Sequence, residues 1–126
     1  MKNKIFYLLF LFLIFLYSCD KGFYRDLYII NHCNDSINIK IVYVRNFPSE
    51  EFDVAPNYYY LWYSGFIGYG THPKNFITKD IYENIIVTKK GIISKFDYVD
   101  PEKWVFDEYE NNKFSVYLII NPEDFE

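Results

Sequence analysis

The chain has 126 residues, enough for one domain, with 13 basic and 17 acidic side chains, a net charge of −4 and 23% aromatic residues. The acidic balance, with no cluster of Lys or Arg, speaks against a nucleic-acid partner. Two cysteines, Cys19 and Cys33, are too few for a disulfide framework.

The first 18 residues have the parts of a bacterial export signal. Lys2 and Lys4 form a positive start, and Ile5–Leu16 is an uninterrupted apolar run. As a helix this run would reach only about 18 Å, short of the ~30 Å hydrocarbon core of a bilayer. Cleavage after Ser18 by ordinary signal peptidase would put Leu16 at −3, where a small residue is preferred. A lipoprotein signal fits better: Leu16, Tyr17, Ser18 and Cys19 follow the order of an aliphatic residue, a tolerant position, a small residue and cysteine. Tyr17 is bulkier than is usual there. The thiol of Cys19 is the nucleophile such processing needs, forming a thioether to diacylglycerol before the chain is cut ahead of it. Stable anchoring takes more than one acyl chain, and a lipidated N-terminal cysteine carries two or three. Removing residues 1–18 takes away Lys2 and Lys4 and leaves 11 basic against 17 acidic side chains, a net charge of −6. Residues 19–24 then form the lipidated cysteine and a short tether, residues 25–126 form the domain, and Cys33 is left as a lone thiol.

Beyond the tether the pattern is strand-like. "LYIINHC" and "SINIKIVYV" flank the turn pair Asn34-Asp35 and read as a hairpin, with Ile37, Ile39, Ile41 and Tyr43 on one face of its second strand. Two prolines bracket a short strand at Glu51–Val54. "YYYLWY" is a further strand, and "SGFIGYGTHPKN" reads as a loop punctuated by glycine and proline. A helical turn is expected at Pro73–Lys79. "NIIVTKKGIISKFDYV" reads as a second hairpin around Lys89-Lys90-Gly91. "DPEKWVF" has Asp100 as an N-cap and Pro101 in the first turn, the signature of a short helix. "KFSVYLII" is the last strand, closed by Asn121-Pro122. About seven strands with turns every 8–12 residues predict a mainly β fold: a small antiparallel β-sandwich, immunoglobulin-like, with one or two short helical turns.

The catalytic inventory is thin. His32 and Cys33 are neighbours, but adjacent strand residues point to opposite faces, so Cys33 reads as a small buried hydrophobe. His72 has no metal-ligand spacing around it. The acidic residues Asp97, Asp100, Glu102, Asp107, Glu108 and Glu110 lack the spacing of a calcium loop and read chiefly as a solvated face. No nucleophile elbow, phosphate loop, zinc motif or redox motif is present, so the expectation is a non-enzymatic protein without cofactor or metal. Tyr58, Tyr59, Tyr60, Trp62, Tyr63, Phe66 and Tyr69 are the stronger signal. Strand alternation puts Tyr58, Tyr60 and Trp62 on one face and Tyr59, Leu61 and Tyr63 on the other. Only one set can be core, which leaves aromatics near solvent, where they either pair across strands or form a contact surface.

The motifs "LYSC", "NHCNDSINI", "VAPN", "DIYENIIV" and "VYLIINPEDF", spread over nearly the whole chain, resemble small lipoproteins of Bacteroidetes. The resemblance implies an immunoglobulin-like sandwich in the cell envelope, lipid-anchored in the outer membrane and facing either the periplasm or the exterior. It implies no catalytic residues. The resulting expectation is a binding module that holds a protein or glycan partner. The alternative is an immunity or inhibitor lipoprotein that masks a toxin or enzyme through the acidic face at Asp107, Glu108 and Glu110.

Overall fold

The computed structural model describes residues 22–69, 72, 75 and 77–126, together with Lys4, Ile5 and Tyr7. The processing motif Leu16, Tyr17, Ser18 and Cys19, residues Pro73, Lys74 and Phe76 of the turn expected at Pro73–Lys79, and the side chain of Tyr69 lie outside the described residues.

Among the described residues eight strands form two sheets of four. They are β1 (Gly22–Asn31), β2 (Ile37–Tyr43), β3 (Glu50–Val54), β4 (Tyr59–Tyr69), β5 (Tyr82–Lys89), β6 (Ile92–Ile93), β7 (Trp104–Glu110) and β8 (Lys113–Ile120). The first sheet has the order β4-β1-β8-β7 and the second β3-β2-β5-β6. All neighbours are antiparallel except β1 and β8, which run parallel over their length. The result is the small, mainly β sandwich that the strand pattern predicts.

Period-two alternation supplies the core. Leu27 and Ile29 from β1, and Val116, Leu118 and Ile120 from β8, point inward from the first sheet. Ile37, Ile39 and Ile41 of β2 meet them from the second sheet, with Ile85 and Val87 of β5. Fully burying one such side chain stabilises the fold by about 1.5–3 kcal/mol, so a core of this kind can hold the domain together without a disulfide. Cys33 is buried in the same cluster as a free thiol.

Three sequence expectations change. First, β1 and β2 are not a hairpin: they lie in opposite sheets, and residues 32–36 turn a corner between them. Asn31 builds that corner from a fully buried position. Its Nδ2 lies 2.8, 3.0 and 3.1 Å from the carbonyl oxygens of Asp35, Val54 and Ala55, and its Oδ1 accepts from Cys33 N at 2.8 Å. The side chain thus satisfies backbone groups that a tight two-strand turn would have paired internally.

Second, β4 runs on through residues expected to be loop, because it pairs with β1 along its whole length. Two register slips absorb the extra residues, one leaving Trp62 between Leu61 and Tyr63, the other leaving Ile67 between Phe66 and Gly68. Gly65 sits between them at φ +153°, where an added Cβ would come within 3.3 Å of the Tyr63 hydroxyl. The same pairing recruits Gly22–Tyr24, which the sequence assigns to the tether, into β1.

Third, the helix expected at "DPEKWVF" is one 3₁₀ turn, Pro101–Lys103, capped as anticipated by Asp100, whose Oδ1 accepts from Glu102 N at 3.0 Å. From Trp104 the chain becomes β7, because the indole is buried and its Nε1 donates to Tyr98 O at 2.8 Å. A second 3₁₀ turn, Pro122–Phe125, follows β8, within the one or two short helical turns expected; there the backbone N–H of Asn121 donates to Asp124 at 2.9 Å. The hairpin around Lys89-Lys90-Gly91 forms as expected. Lys90 and Gly91 both take positive φ (49° and 79°), the conformation of a two-residue type I′ loop.

Candidate functional site

The outer face of the first sheet is built in rows that the strand registers fix. One row carries Tyr59, Ile30 and Ile119 across β4, β1 and β8. The next carries Leu61, Tyr28, Tyr117 and Val105 across all four strands. A polar row follows, Ser64, Asp26, Ser115 and Asp107, in which Ser64 Oγ donates to Asp26 Oδ1 at 2.5 Å. Phe66, Tyr24 and Lys113 complete the face, with the Phe66 and Tyr24 rings edge to face at 5.3 Å. The inward residues of the same strands already fill the core, so this is a second apolar surface with nothing packed over it among the described residues.

Its aromatic end forms an open depression of about 530 Å³ beside the Asn31 corner. Tyr28 and Tyr117 stack at 5.5 Å and an interplanar angle of 20°. Tyr58 and Tyr59 stack at 5.2 Å and 12°, and the Tyr59 ring stands at 72° to that of Tyr28. His32 and Asn57 contribute polar edges. The backbone holds this wall in place: Asn31 N donates to Tyr58 O, His32 N to Ile120 O, and Asn57 N to Cys33 O. The Tyr28 hydroxyl has a raised pKa, from desolvation first and then from the nearby Asp26 carboxylate.

The structure divides the aromatic set read from the sequence. Tyr58, Tyr59, Tyr60 and Tyr63 all remain exposed, from 40% to 60%, so none serves as core. The slip at Trp62 breaks the expected alternation. Leu61 lies opposite Tyr28 on the outer face, whereas Tyr63 lies opposite Leu27 and turns to the inner side. Tyr60, opposite Ile29, also turns inward but overhangs the sheet edge, where it stacks on Phe52 of β3 at 4.3 Å. Trp62 is half-buried and donates from Nε1 to Glu50 at 2.8 Å, a carboxylate that also accepts from the Tyr43 hydroxyl at 3.0 Å. Tyr63 lies under the Arg25 guanidinium at 5.4 Å and donates from its hydroxyl to Phe66 O. Tyr60, Trp62 and Tyr63 therefore close the side of the sandwich, while Tyr59 and Phe66 belong to the outer face.

Tyr28 and Tyr117, central to that face, were not singled out from the sequence. The signal was there: each alternates with inward residues that already complete a core stripe, so an aromatic at the outward position has no core to fill.

The acidic residues do not converge. Asp107 belongs to the polar row on the outer face, Glu108 lies opposite Phe114, and Glu110 pairs with Lys113 at 3.0 Å. Glu108 accepts from the backbone of Asn112, Asp97 pairs with Lys79 at 3.3 Å, and Asp100 caps a turn. Among the described residues no group of three or more His, Cys, Asp and Glu side chains is placed to hold a metal ion. No helix among them is long and apolar enough to cross a membrane. No known protein family, curated protein or solved structure matches the chain.

Proposed function

We propose that the protein is a lipid-anchored, non-enzymatic binding module of the cell envelope, attached through Cys19, that holds a protein or glycan partner on the outer face of its first sheet. The observation that carries this reading is the continuous apolar surface of Tyr59, Leu61, Tyr28 and Tyr117, the first two exposed and the tyrosines of β1 and β8 half-buried, on a face that is not needed for the core. Apolar patches of this kind on small domains commonly mark contact sites. The direction of β1 is consistent with it. Cys19 precedes Gly22 closely in the chain, and the depression lies at the other end of a ten-residue strand, roughly 30 Å away. An anchored domain would carry its aromatic end outward from the bilayer.

The alternative, an inhibitor acting through Asp107, Glu108 and Glu110, has less support. These carboxylates point to different sides, and one is already paired with Lys113. Affinity capture from envelope extracts separates the two readings. Tyr59→Ala with Tyr117→Ala is expected to lose the captured partner, while Asp107→Asn with Glu108→Gln keeps it. The opposite result favours the inhibitor, and no effect from either pair removes both. Cys19→Ser is expected to abolish lipid labelling and release the protein from membranes; unchanged retention would overturn the anchor.

A further inference from the structure

We propose that the tyrosine-lined depression at the Asn31 end of the first sheet is a site for a neutral oligosaccharide. This rests on the binding-module reading and narrows it to one chemistry. A pyranose ring offers one face of C–H bonds and a rim of hydroxyls, so it is recognised by flat rings flanked by uncharged donors and acceptors. The depression has both. The stacked pairs Tyr28–Tyr117 and Tyr58–Tyr59 form two ring surfaces, and the 72° angle between Tyr28 and Tyr59 makes an open trough of them. Asn57 and His32 stand at its edge with the tyrosine hydroxyls.

The lining contains no Lys, Arg, Asp or Glu. An anionic sugar or a phosphate would be held by basic groups, and an acidic or basic peptide by opposite charges. The volume of about 530 Å³ lies within the usual span of small-ligand pockets, roughly 300–1,000 Å³. A protein interface would instead cover about 800 Å² per partner. The trough is also set before any ligand arrives. The Asn31 clamp and the backbone bonds to Tyr58, Asn57 and Ile120 fix its wall, which keeps the ordering cost of binding low.

The test uses the full lipidated chain in detergent, titrated calorimetrically with cellohexaose, maltohexaose, xylohexaose and mannohexaose. Trigalacturonate serves as the anionic probe and decaproline as the peptide probe. At least one neutral sugar is expected to bind saturably, with a Kd between about 10 µM and 1 mM. Tyr59→Ala and Tyr117→Ala should each weaken it about tenfold, the equivalent of one lost ring contact. Tyr59→Phe, which keeps the ring, should stay within about threefold of the parent. Trp62→Ala, on the closed side of the sandwich, should leave binding unchanged. Binding only of trigalacturonate or decaproline, binding of no probe, or neutral-sugar binding indifferent to Tyr59 and Tyr117 would each overturn the proposal. If no sugar binds but the tyrosine variants still lose their captured envelope partner, the oligosaccharide inference falls and the binding face stands. If those variants keep the partner, the binding face falls as well.

Discussion

Asn31 offers a quantitative test of how this fold holds its aromatic end. Replacing it with alanine removes four polar contacts, three of them shared between the two amide hydrogens of Nδ2. Those to Val54 O and from Cys33 N are buried, and those to Asp35 O and Ala55 O are only partly so. A buried group left without a partner costs about 1–3 kcal/mol, whereas water can replace most of a partly exposed bond, leaving about 0.5–1 kcal/mol each. The sum is about 3–8 kcal/mol, a large share of the roughly 5–15 kcal/mol that holds a domain folded. In a thermal melt this is a fall of at least about 12 °C, at 4–8 °C per kcal/mol for a domain near 100 residues. Urea denaturation of Asn31→Ala beside the parent gives the free energy directly. A loss below about 1 kcal/mol would show that the corner is held by something other than this side chain.

Asn31→Asp sharpens the same test. It keeps the acceptor for Cys33 N but turns a second oxygen toward three carbonyls. The carboxylate form is disfavoured there, so the folded pKa of the new group should lie above its unfolded value of about 3.9. A group whose pKa is raised on folding contributes most below the unfolded value and loses that contribution as pH rises through the folded value. The deficit of Asn31→Asp relative to the parent should therefore be smaller near pH 4 than at pH 7. A deficit independent of pH would refute the geometry.

Three further outcomes follow from the same structure. The hydroxyls of Tyr43, Tyr82 and Tyr98 all have raised pKa values, in each case chiefly from burial, so their contribution to stability holds below about pH 10 and is lost as pH climbs toward the folded values. Urea midpoints should be steady up to that pH and fall above it, with a shallower fall for Tyr98→Phe; equal slopes would refute the role of Tyr98. Leu118→Ala, in the core, should cost about 3 kcal/mol, but Ile119→Ala, on the outer face, about 1 kcal/mol. Similar losses in denaturant melts would contradict the assignment of faces. The Cys33 thiol is buried and its pKa is raised by desolvation, so an aromatic disulfide reagent should label a Cys19→Ser chain only after denaturant unfolds it; rapid labelling of the folded chain would contradict that burial.

Local periodicity carried most of the strand positions. Ile37, Ile39 and Ile41 alternate cleanly, and "KFSVYLII" is β8 to the residue. What local pattern cannot carry is pairing. Asn34-Asp35 has good turn chemistry, yet its flanking strands join different sheets, because β1 finds its neighbours in residues 59–69 and 113–120. The loop reading of "SGFIGY" failed for a related reason: glycines that punctuate an isolated segment are held in a strand once it pairs with β1, Gly65 opposite Arg25 and Gly68 opposite Phe23, with the register slips at Trp62 and Ile67. On the outer face, the aromatic run supplies the exposed Tyr59 and Phe66. It could not separate them from Tyr60, Trp62 and Tyr63, since one extra residue at Trp62 exchanges the faces beyond it. Tyr28 and Tyr117 join Tyr59 only through pairings between residues far apart in the chain.

The parallel pairing of β1 with β8 also sets a schedule. β1 is the first of the described strands and β8 the last, and residues 24–31 find their second set of partners at residues 113–120. Until those final residues are free, β1 has β4 alone beside it, and β7 has no neighbour in its sheet at all. Contacts of such long sequence separation form slowly, because the intervening chain must be closed before they repay its entropy. For a chain exported as proposed here, the first sheet cannot be completed while its last strand is still in transit. The domain would cross the membrane as an open polymer and take its shape only once the whole chain has arrived.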